Sequence, residues 1–335
     1  MLNDKIYFYT NREVSANIQR HPWRFTQNLA PDDQWTCGSV DVTGVTREQL
    51  VSDSFQPTKA ELDLEELVDI VVDAQPNLKL YVHGHDTTFQ KAVSEAYRLS
   101  VASEHQGALL VFSWPTGSRS RFGVDDLARY YISRDNLVDS APHLQRLLQA
   151  LRSEGRPAIQ IFMIAYSMGA RLAAYAWLGA RACASPVDLL VFAAADEDQA
   201  RFALAISEFL RAPFVVLLAS SRDAALLAST WVPGHRNRAG RCSAGLSGTL
   251  CYSERIVTID RSQASSTGSN HNYLFLSEAV ATYLRNLFHA AAAGVNAATW
   301  QQLPLVSSAQ LQECYINNDR LMRCHVHMHH LSDAP

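Results

Sequence analysis

Six short apolar segments separated by amphipathic stretches limit the possible folds of this chain more than any other feature. Each segment is almost continuously apolar and rich in β-branched or aromatic residues, which is typical of strands buried on both faces of a sheet. Stretches such as TFQKAVSEAYRLSVASE lie between them and have helical spacing of apolar residues. This alternation predicts an α/β fold with a doubly wound, mostly parallel sheet and helices on both faces. The six segments are LKLYVHG (78–84), GALLVFSW (107–114), IQIFMIAYS (159–167), VDLLVFAAAD (187–196), FVVLLASS (214–221) and RIVTID (255–260).

The alternation is regular over residues 76–290, which we expect to form the core. Before it, KIYFYTNR and WTCGSVDV predict strands and ELDLEELVDIVVDA predicts a helix, so residues 1–75 are expected to complete the sheet edge. After about residue 290 the pattern fades, and residues 291–335 are expected to form a C-terminal extension. The irregular segment 231–253 is long enough to form a flap over a site.

Length and composition exclude several classes of protein. With 335 residues, 47% of them hydrophobic, the chain can bury a large core. A net charge of −4 and scattered arginines do not indicate a nucleic-acid partner. We find neither a secretory signal at the start nor an apolar stretch long enough for a membrane span, so we expect a cytoplasmic protein. No cofactor is expected. The sequence indicates a small-molecule partner and does not determine the oligomeric state.

Cysteine and histidine patterns leave two subsidiary alternatives open. No CxxC pair occurs among the six cysteines, so we expect reduced thiols. Cys242 and Cys251 flank the Gly/Ser-rich segment SAGLSGTL, and a disulfide across a hairpin remains an alternative there. Near the end of the chain, His325, His327 and His329 alternate and would share one face of a strand. They are expected to be solvated, with metal binding as the alternative.

Ser167 is the candidate nucleophile, because it lies where the third apolar segment turns abruptly into a helix. Active sites of open parallel sheets form at the carboxyl ends of the strands. A tight strand-to-helix turn needs small residues two positions before and after the serine, and these are Ala165 and Gly169. The pattern is a G-x-S-x-G elbow with alanine in the first glycine position. A serine that only caps the helix is the alternative.

A base and an acid follow the last two strands. His271 comes after the polar loop RSQASSTGSN, and Asp223 follows FVVLLASS after Arg222. The chain order serine, acid, histidine is that of α/β-hydrolases, in which the acid orients the imidazole. Asp196, which ends VDLLVFAAAD, is the alternative acid. Capping of the closing helix is the alternative role for His271.

The first strong strand ends in the segment HGHD, which indicates an oxyanion site. Gly84 would let the backbone approach an anion, and the N–H groups of His85 and Met168 are the predicted pair of donors. His83, His85 and Asp86 could instead bind a metal ion, but the core has no second cluster of ligands. We therefore expect no metal.

Aromatic residues follow the second strong strand. Trp114 and Pro115, with Tyr130 and Tyr131 beyond them, are expected to line a pocket or a cap. Packing in the core is the alternative for all four.

Five segments together resemble a bacterial family of α/β-hydrolases whose function is mostly uncharacterised. They are YVHGHDTTF, VFSWPTGS, IAYSMGARL, SSRDAALLAS and NHNYLF, which are similar to the family patterns HGFNTTF, FSWPS, IAHSMGNR, S-x-D-x-A-L and a late histidine. YFYTNR also resembles the N-terminal strand of that family, so the resemblance covers roughly residues 5–290. It implies an α/β-hydrolase fold and a triad of Ser167, Asp223 and His271, with the HG loop as oxyanion site.

This chain departs from the family patterns at positions near the expected pocket. Tyr166 replaces the histidine before the serine, Ala170 replaces an asparagine, and HGHD replaces HGFN. Tyr166 is therefore a candidate substrate-binding residue together with Trp114. The sequence predicts a serine hydrolase that cleaves a carboxylic ester or related acyl bond through an acyl-enzyme on Ser167. An acyltransferase with the same triad and a non-catalytic binding module are the alternatives.

Overall fold

A computed structural model describes most of the chain. It covers residues 4–16, 24–46, 49, 59–73, 77–104, 107–117, 126–153, 159–179, 187–202, 205, 214–232, 237–241, 256–260, 270–293, 311–315 and 322–327. The strands are β1 (Lys5–Thr10), β2 (Arg12–Val14), β3 (Phe25–Leu29), β4 (Thr36–Asp41), β5 (Lys59–Leu62), β6 (Asn77–Val82), β7 (Ala108–Ser113), β8 (Gln160–Tyr166), β9 (Leu189–Ala193), β10 (Phe214–Ala219), β11 (Ile256–Asp260), β12 (Leu311–Tyr315) and β13 (Met322–His327). The helices used below are α1 (Leu64–Asp73), α2 (Phe89–Ala102), α3 (Asp126–Leu151), α4 (Met168–Gly179), α5 (Ala224–Ser229), α6 (Tyr273–Leu276) and α7 (Glu278–Ala292).

Within the described residues, one sheet of 11 strands has the order β5-β4-β1-β7-β6-β8-β9-β10-β11-β13-β12. Neighbouring strands run parallel from β1 to β13, and the antiparallel pairs β1–β4, β4–β5 and β12–β13 lie at the two ends. β6 is followed by β7 on one side, and the chain then crosses to β8 on the other side. The strand order therefore reverses between β6 and β8, and ligands bind at such a point.

Two apolar clusters cover the two faces of the sheet, because successive side chains of each central strand point to opposite faces. Leu80 of β6 belongs to the cluster that includes residues of α1, α3 and α4. Tyr81, the next residue, belongs to the cluster that includes residues of α2 and α7. Burial on both faces explains why these strands are almost continuously apolar, and it confirms the doubly wound α/β fold with helices on both faces.

The six predicted central strands are present, whereas the two ends of the sheet differ from expectation. Residues 59–62 form β5, which pairs with β4, although a helix was expected to begin there. β12 and β13 extend the opposite edge. The alternating histidines indicated a strand where β13 lies, whereas no strand was expected at β12. Pairing with a neighbour can stabilise a short edge strand without an apolar pattern. The proposed boundaries at 75 and 290 stay predictions.

Two helical predictions also differ in detail. α3 begins well before the predicted DNLVDS segment and passes through Pro142, which removes one backbone N–H from the helix. The closing helix is divided at Ser277, whose side chain accepts a hydrogen bond from the Val280 N–H and so caps α7. None of the helices in the described part of the chain is both long and apolar enough to cross a membrane.

Candidate active site

Ser167 lies in a strained turn between β8 and α4. Its φ of 54° is in the left-handed region, which residues other than glycine occupy only when their surroundings hold them there. The Ser167 N–H donates to the Ala193 carbonyl at 2.8 Å, and the Ser167 carbonyl accepts from the Asp196 N–H at 3.1 Å. The backbone at and after β9 therefore fixes the turn, and Ser167 is held at the carboxyl end of the central strand β8.

Two glycines allow the turn to pack against the end of β6. A Cβ on Gly169 would lie 2.4 Å from the His83 carbonyl oxygen and 2.6 Å from that of Val82. A Cβ on Gly84 would lie 2.8 Å from the Cβ of Ser167. α4 and the segment after β6 thus approach each other at backbone distance, and the loop after β6 contacts the candidate nucleophile directly.

Gly169→Ala is expected to lower the free energy of unfolding by about 3 kcal/mol, because the new methyl group would overlap two backbone carbonyls that cannot easily move. Gly44→Ala is the matched control, because Gly44 has a φ of +67° and a Cβ added there would meet no atom within 4 Å. The control should lose only about 1 kcal/mol from the left-handed backbone. Urea unfolding of the two variants measures the difference, and equal losses would contradict close packing at Gly169.

Ser167, His271 and Asp223 form a hydrogen-bonded chain. The His271 Nε2 atom lies 3.0 Å from Ser167 Oγ, and His271 Nδ1 lies 2.8 Å from Asp223 Oδ2. Since a carboxylate can only accept, Nδ1 carries the proton and Nε2 is free to accept one from the serine. The structure therefore brings together the three residues that the sequence predicted as a triad.

Asp223 is held by a second contact. It is buried, and its Oδ1 atom accepts a hydrogen bond from the Leu226 N–H at 2.9 Å, so the carboxylate also caps α5. Partial positive charge at the start of a helix favours a negative charge there. The start of α5 thus holds the Asp223 carboxylate in an orientation in which it contacts His271.

Tyr166 holds the segment that carries His271. Its hydroxyl donates to the Asn272 side-chain oxygen at 2.9 Å and lies 3.3 Å from the His271 carbonyl oxygen. The Tyr166 and His271 rings are 5.2 Å apart between centroids. Tyr166 also lines the cavity, so it both contacts the expected substrate space and positions the histidine.

A cavity of about 490 Å³ opens above Ser167. Its walls combine apolar side chains with a few charged ones, and the Arg129 guanidinium pairs with Asp86 at 2.9 Å on one side. This size and mixture suit a small organic ligand. The lining residues are His85, Asp86, Lys91, Leu127, Arg129, Tyr130, Tyr166, Ser167, Asp196, Ala225, Leu226, Ala228, Ser229, Val232, His271 and Asn272.

Asp196, the alternative acid, belongs to a separate network on the cavity wall. Its carboxylate accepts from the Tyr130 hydroxyl at 2.6 Å and from the Ser229 hydroxyl at 2.7 Å, and it lies 3.4 Å from Arg238 Nε. Burial and the Asp196 charge raise the pKa of Tyr130, so this phenol stays protonated and donates. The imidazole of His271 contacts Asp223 instead.

The remaining predicted site residues are divided between the cavity and the core. His85 lines the cavity, and burial lowers the pKa of its imidazole, which lies 2.7 Å from Ser133 Oγ. In the described part of the chain, neither the His85 N–H nor the Met168 N–H has an acceptor. Trp114, expected in the pocket, is fully buried in the core, because β7 ends one residue earlier and delivers it under the loop after β6.

The structure describes the residues of the metal alternative at His83, His85 and Asp86, whereas the disulfide alternative falls outside the described residues and stays a prediction. His83 Nε2 accepts hydrogen bonds from protein N–H groups and does not face a metal site. No cluster of three potential metal ligands occurs among the residues that the structure describes. His325 and His327 lie on β13 by backbone position. Cys242, Cys251, His329 and most of the proposed flap lie outside the described residues.

The parallel sheet, the strained serine turn and the Ser–His–Asp contacts together define the α/β-hydrolase class. A family model described as "Alpha/beta hydrolase of unknown function (DUF900)" matches residues 59–286, which is more than half of the chain. The protein therefore belongs to this family. A similar solved structure is the dienelactone hydrolase from Anabaena variabilis at 13% identity and a TM-score of 0.35, with 79% of this chain and 94% of that chain covered. None of the curated proteins matches the chain significantly.

Proposed function

We propose that this protein is a serine hydrolase that cleaves a carboxylic ester or a related acyl bond through an acyl-enzyme on Ser167. The observation that carries the proposal is the chain of hydrogen bonds from Ser167 through His271 to Asp223 beneath a cavity. Such a chain lets the imidazole remove the hydroxyl proton as the oxygen attacks.

In the first half of the reaction, Ser167 Oγ attacks the acyl carbon and its proton passes to His271 Nε2. Asp223 stabilises the imidazolium that forms. The tetrahedral intermediate then collapses: the bond to the leaving group breaks, and His271 donates its proton to the departing oxygen. The acyl group remains on Ser167 as an ester.

In the second half, water takes the place of the leaving group. His271 removes a proton from the water, whose oxygen attacks the acyl carbon. The bond to Ser167 Oγ breaks, the proton returns to that oxygen, and the carboxylic acid leaves.

The proposed oxyanion site consists of the His85 and Met168 N–H groups. Met168 is the first residue of α4, where N–H groups have no partner within the helix. His85 follows Gly84, whose backbone lies against Ser167. Two such donors would stabilise the negative oxygen of the intermediate more than the carbonyl of the substrate.

The substrate proposed for the cavity is small and carries an apolar group beside the acyl bond. Leu127, Leu226 and Val232 supply apolar wall, whereas Arg129 and Asp86 neutralise each other in their ion pair. A short or medium acyl chain fits a cavity of about 490 Å³ better than a polymer would.

Labelling with a fluorophosphonate, followed by mapping of the modified residue, tests the proposal. Modification is expected at Ser167 and should be absent in Ser167→Ala. Modification of Ser229, a second hydroxyl on the cavity wall, would contradict it. Hydrolysis of p-nitrophenyl acetate, butyrate and octanoate should accompany labelling. An added alcohol that receives most of the acyl group would indicate an acyltransferase, and binding without turnover would indicate a non-catalytic module.

A further inference from the structure

A fully buried guanidinium lies beneath the loop that follows β6. Arg12, the first residue of β2, has no exposed surface, and burial lowers its pKa to about 9. Within the described residues no carboxylate pairs with it. Its donors instead reach five neutral acceptors, and an unpaired buried cation costs stability. The acceptors are Ser113 Oγ, the Thr26 carbonyl, Gln27 Oε1, the Thr87 carbonyl and His83 Nε2.

The contact with His83 fixes which nitrogen of that ring carries a proton. His83 Nε2 lies 3.2 Å from Arg12 Nη2 and 3.1 Å from the backbone nitrogen of Trp114. Both neighbours can only donate, so Nε2 is the acceptor and Nδ1 holds the proton. Burial, with a smaller contribution from Arg12, lowers the pKa of His83, and the ring therefore stays neutral.

The proton on Nδ1 in turn fixes a peptide group. His83 Nδ1 lies 2.9 Å from the Gly84 carbonyl oxygen and donates to it. That carbonyl and the N–H of His85 belong to one planar trans peptide, so they point in opposite directions. Holding the carbonyl therefore sets the direction of the His85 N–H, which is one of the two proposed oxyanion donors.

Stacking against Trp114 fixes the orientation of the His83 ring. The two rings stack with centroids 5.5 Å apart and planes 5° from parallel. The indole N–H also donates to the His83 carbonyl at 2.9 Å. Trp114 therefore contacts both the backbone and the ring of His83. These contacts keep Nδ1 on the side of the Gly84 carbonyl and Nε2 on the side of Arg12.

We propose that Arg12 and His83 are positioning residues for the oxyanion site. Arg12 holds His83 as the Nδ1–H tautomer, and His83 holds the peptide of Gly84 and His85 with its N–H directed towards the tetrahedral oxygen. This inference rests on the proposed function of Ser167. Because the oxyanion forms only during the reaction, losing this arrangement should lower kcat and leave KM nearly unchanged.

Two substitutions at His83 separate positioning from packing. The amide nitrogen of His83→Asn can occupy the place of Nδ1 and still donate to the Gly84 carbonyl, but it leaves Arg12 and Trp114 without their acceptor. The amide of His83→Gln reaches the place of Nε2 and keeps that acceptor, but it loses the donor. His83→Gln should therefore lose about 10²-fold in kcat for a p-nitrophenyl ester, and His83→Asn should lose several times less.

The stability of these variants should rank in the opposite order. His83→Gln should unfold at the higher urea concentration, because it fills more of the buried space and satisfies two N–H groups. If His83→Asn has the higher kcat and His83→Gln has the higher urea midpoint, the result supports a positioning role for His83. If His83→Asn is worse in both measurements while the wild-type protein hydrolyses esters, the positioning role is wrong and the proposed function stands.

The tautomer can be measured without any activity. In a long-range ¹H–¹⁵N spectrum of the full-length protein, His83 should show the Nδ1–H pattern. In Arg12→Met the Trp114 N–H still donates to Nε2, so this pattern should remain the major one, but the Nε2–H fraction should be larger than in the wild-type protein. An Nε2–H pattern in the wild-type protein would overturn the proposal. Arg12→Lys serves as the conservative variant, because it keeps a donor for Nε2, and it should preserve the wild-type pattern.

Discussion

Ser167→Ala is expected to reduce kcat for a short p-nitrophenyl ester by about 10⁴-fold or more. The reason is the 3.0 Å contact between Ser167 Oγ and His271 Nε2, which gives the base a proton to remove and the reaction a nucleophile. Alanine is smaller than serine and adds no atom to the turn. The free energy of unfolding should therefore change by less than about 1 kcal/mol.

Steady-state kinetics and urea unfolding of the same preparation check this result. Ser100→Ala, a buried serine of α2, is a suitable control because it removes a hydroxyl of the same kind outside the cavity lining. The control should retain wild-type kcat. If Ser167→Ala keeps near wild-type turnover, the mechanism through an acyl-serine is wrong.

The central part of the fold could be predicted because each strand is covered on both faces. Leu80 and Tyr81 enter different apolar clusters, so neither face of the strand is exposed and its sequence is almost continuously apolar. β12 and β13 lie at an edge and obtain their partners by pairing with each other and with β11. Their sequences, LQECY and MRCHVH, lack the apolar pattern from which the central strands were predicted.

The candidate site was predictable where it depends on local geometry. The small residue at Gly169 follows from the steric demand of the turn, and the order of Ser167 and His271 follows from the order of the strands. The choice between Asp223 and Asp196 does not follow from local geometry, because both residues follow neighbouring strands at the same edge of the sheet. Asp223 was favoured because it leaves the strand before the His271 strand and because SSRDAALLAS resembles S-x-D-x-A-L. Only the structure shows which carboxylate contacts His271.

The contacts of Arg12 show a second limit of prediction from the sequence. Its position two residues after the apolar strand KIYFYT places a cation at the carboxyl edge of the sheet, and that signal was available in the sequence. Its burial and its contact with His83, 71 residues later, depend on the pairing of β1 with β7 beside β6. A tertiary contact of this kind has no local pattern.

Asp223→Asn is expected to reduce kcat by about 10⁴-fold, as the loss of a triad carboxylate does in serine hydrolases. An amide can donate to His271 Nδ1, which would place the imidazole proton on Nε2 and block its role as a base. The side-chain oxygen of asparagine can still accept from the Leu226 N–H and cap α5. The fold should therefore survive, and kcat measured against pH should stay low throughout.

Asp196→Asn is the matched comparison, because it makes the same isosteric change in a carboxylate that is also buried in the cavity region. It removes the anion beside Arg238 and weakens the bond from the Tyr130 hydroxyl, so its main effect should be a lower urea midpoint. Its kcat should fall far less than that of Asp223→Asn, because its carboxylate does not contact His271. The two variants should thus separate catalysis from stability. A larger kcat loss in Asp196→Asn would move the acid to the end of β9 and leave the assignments of Ser167 and His271 in place.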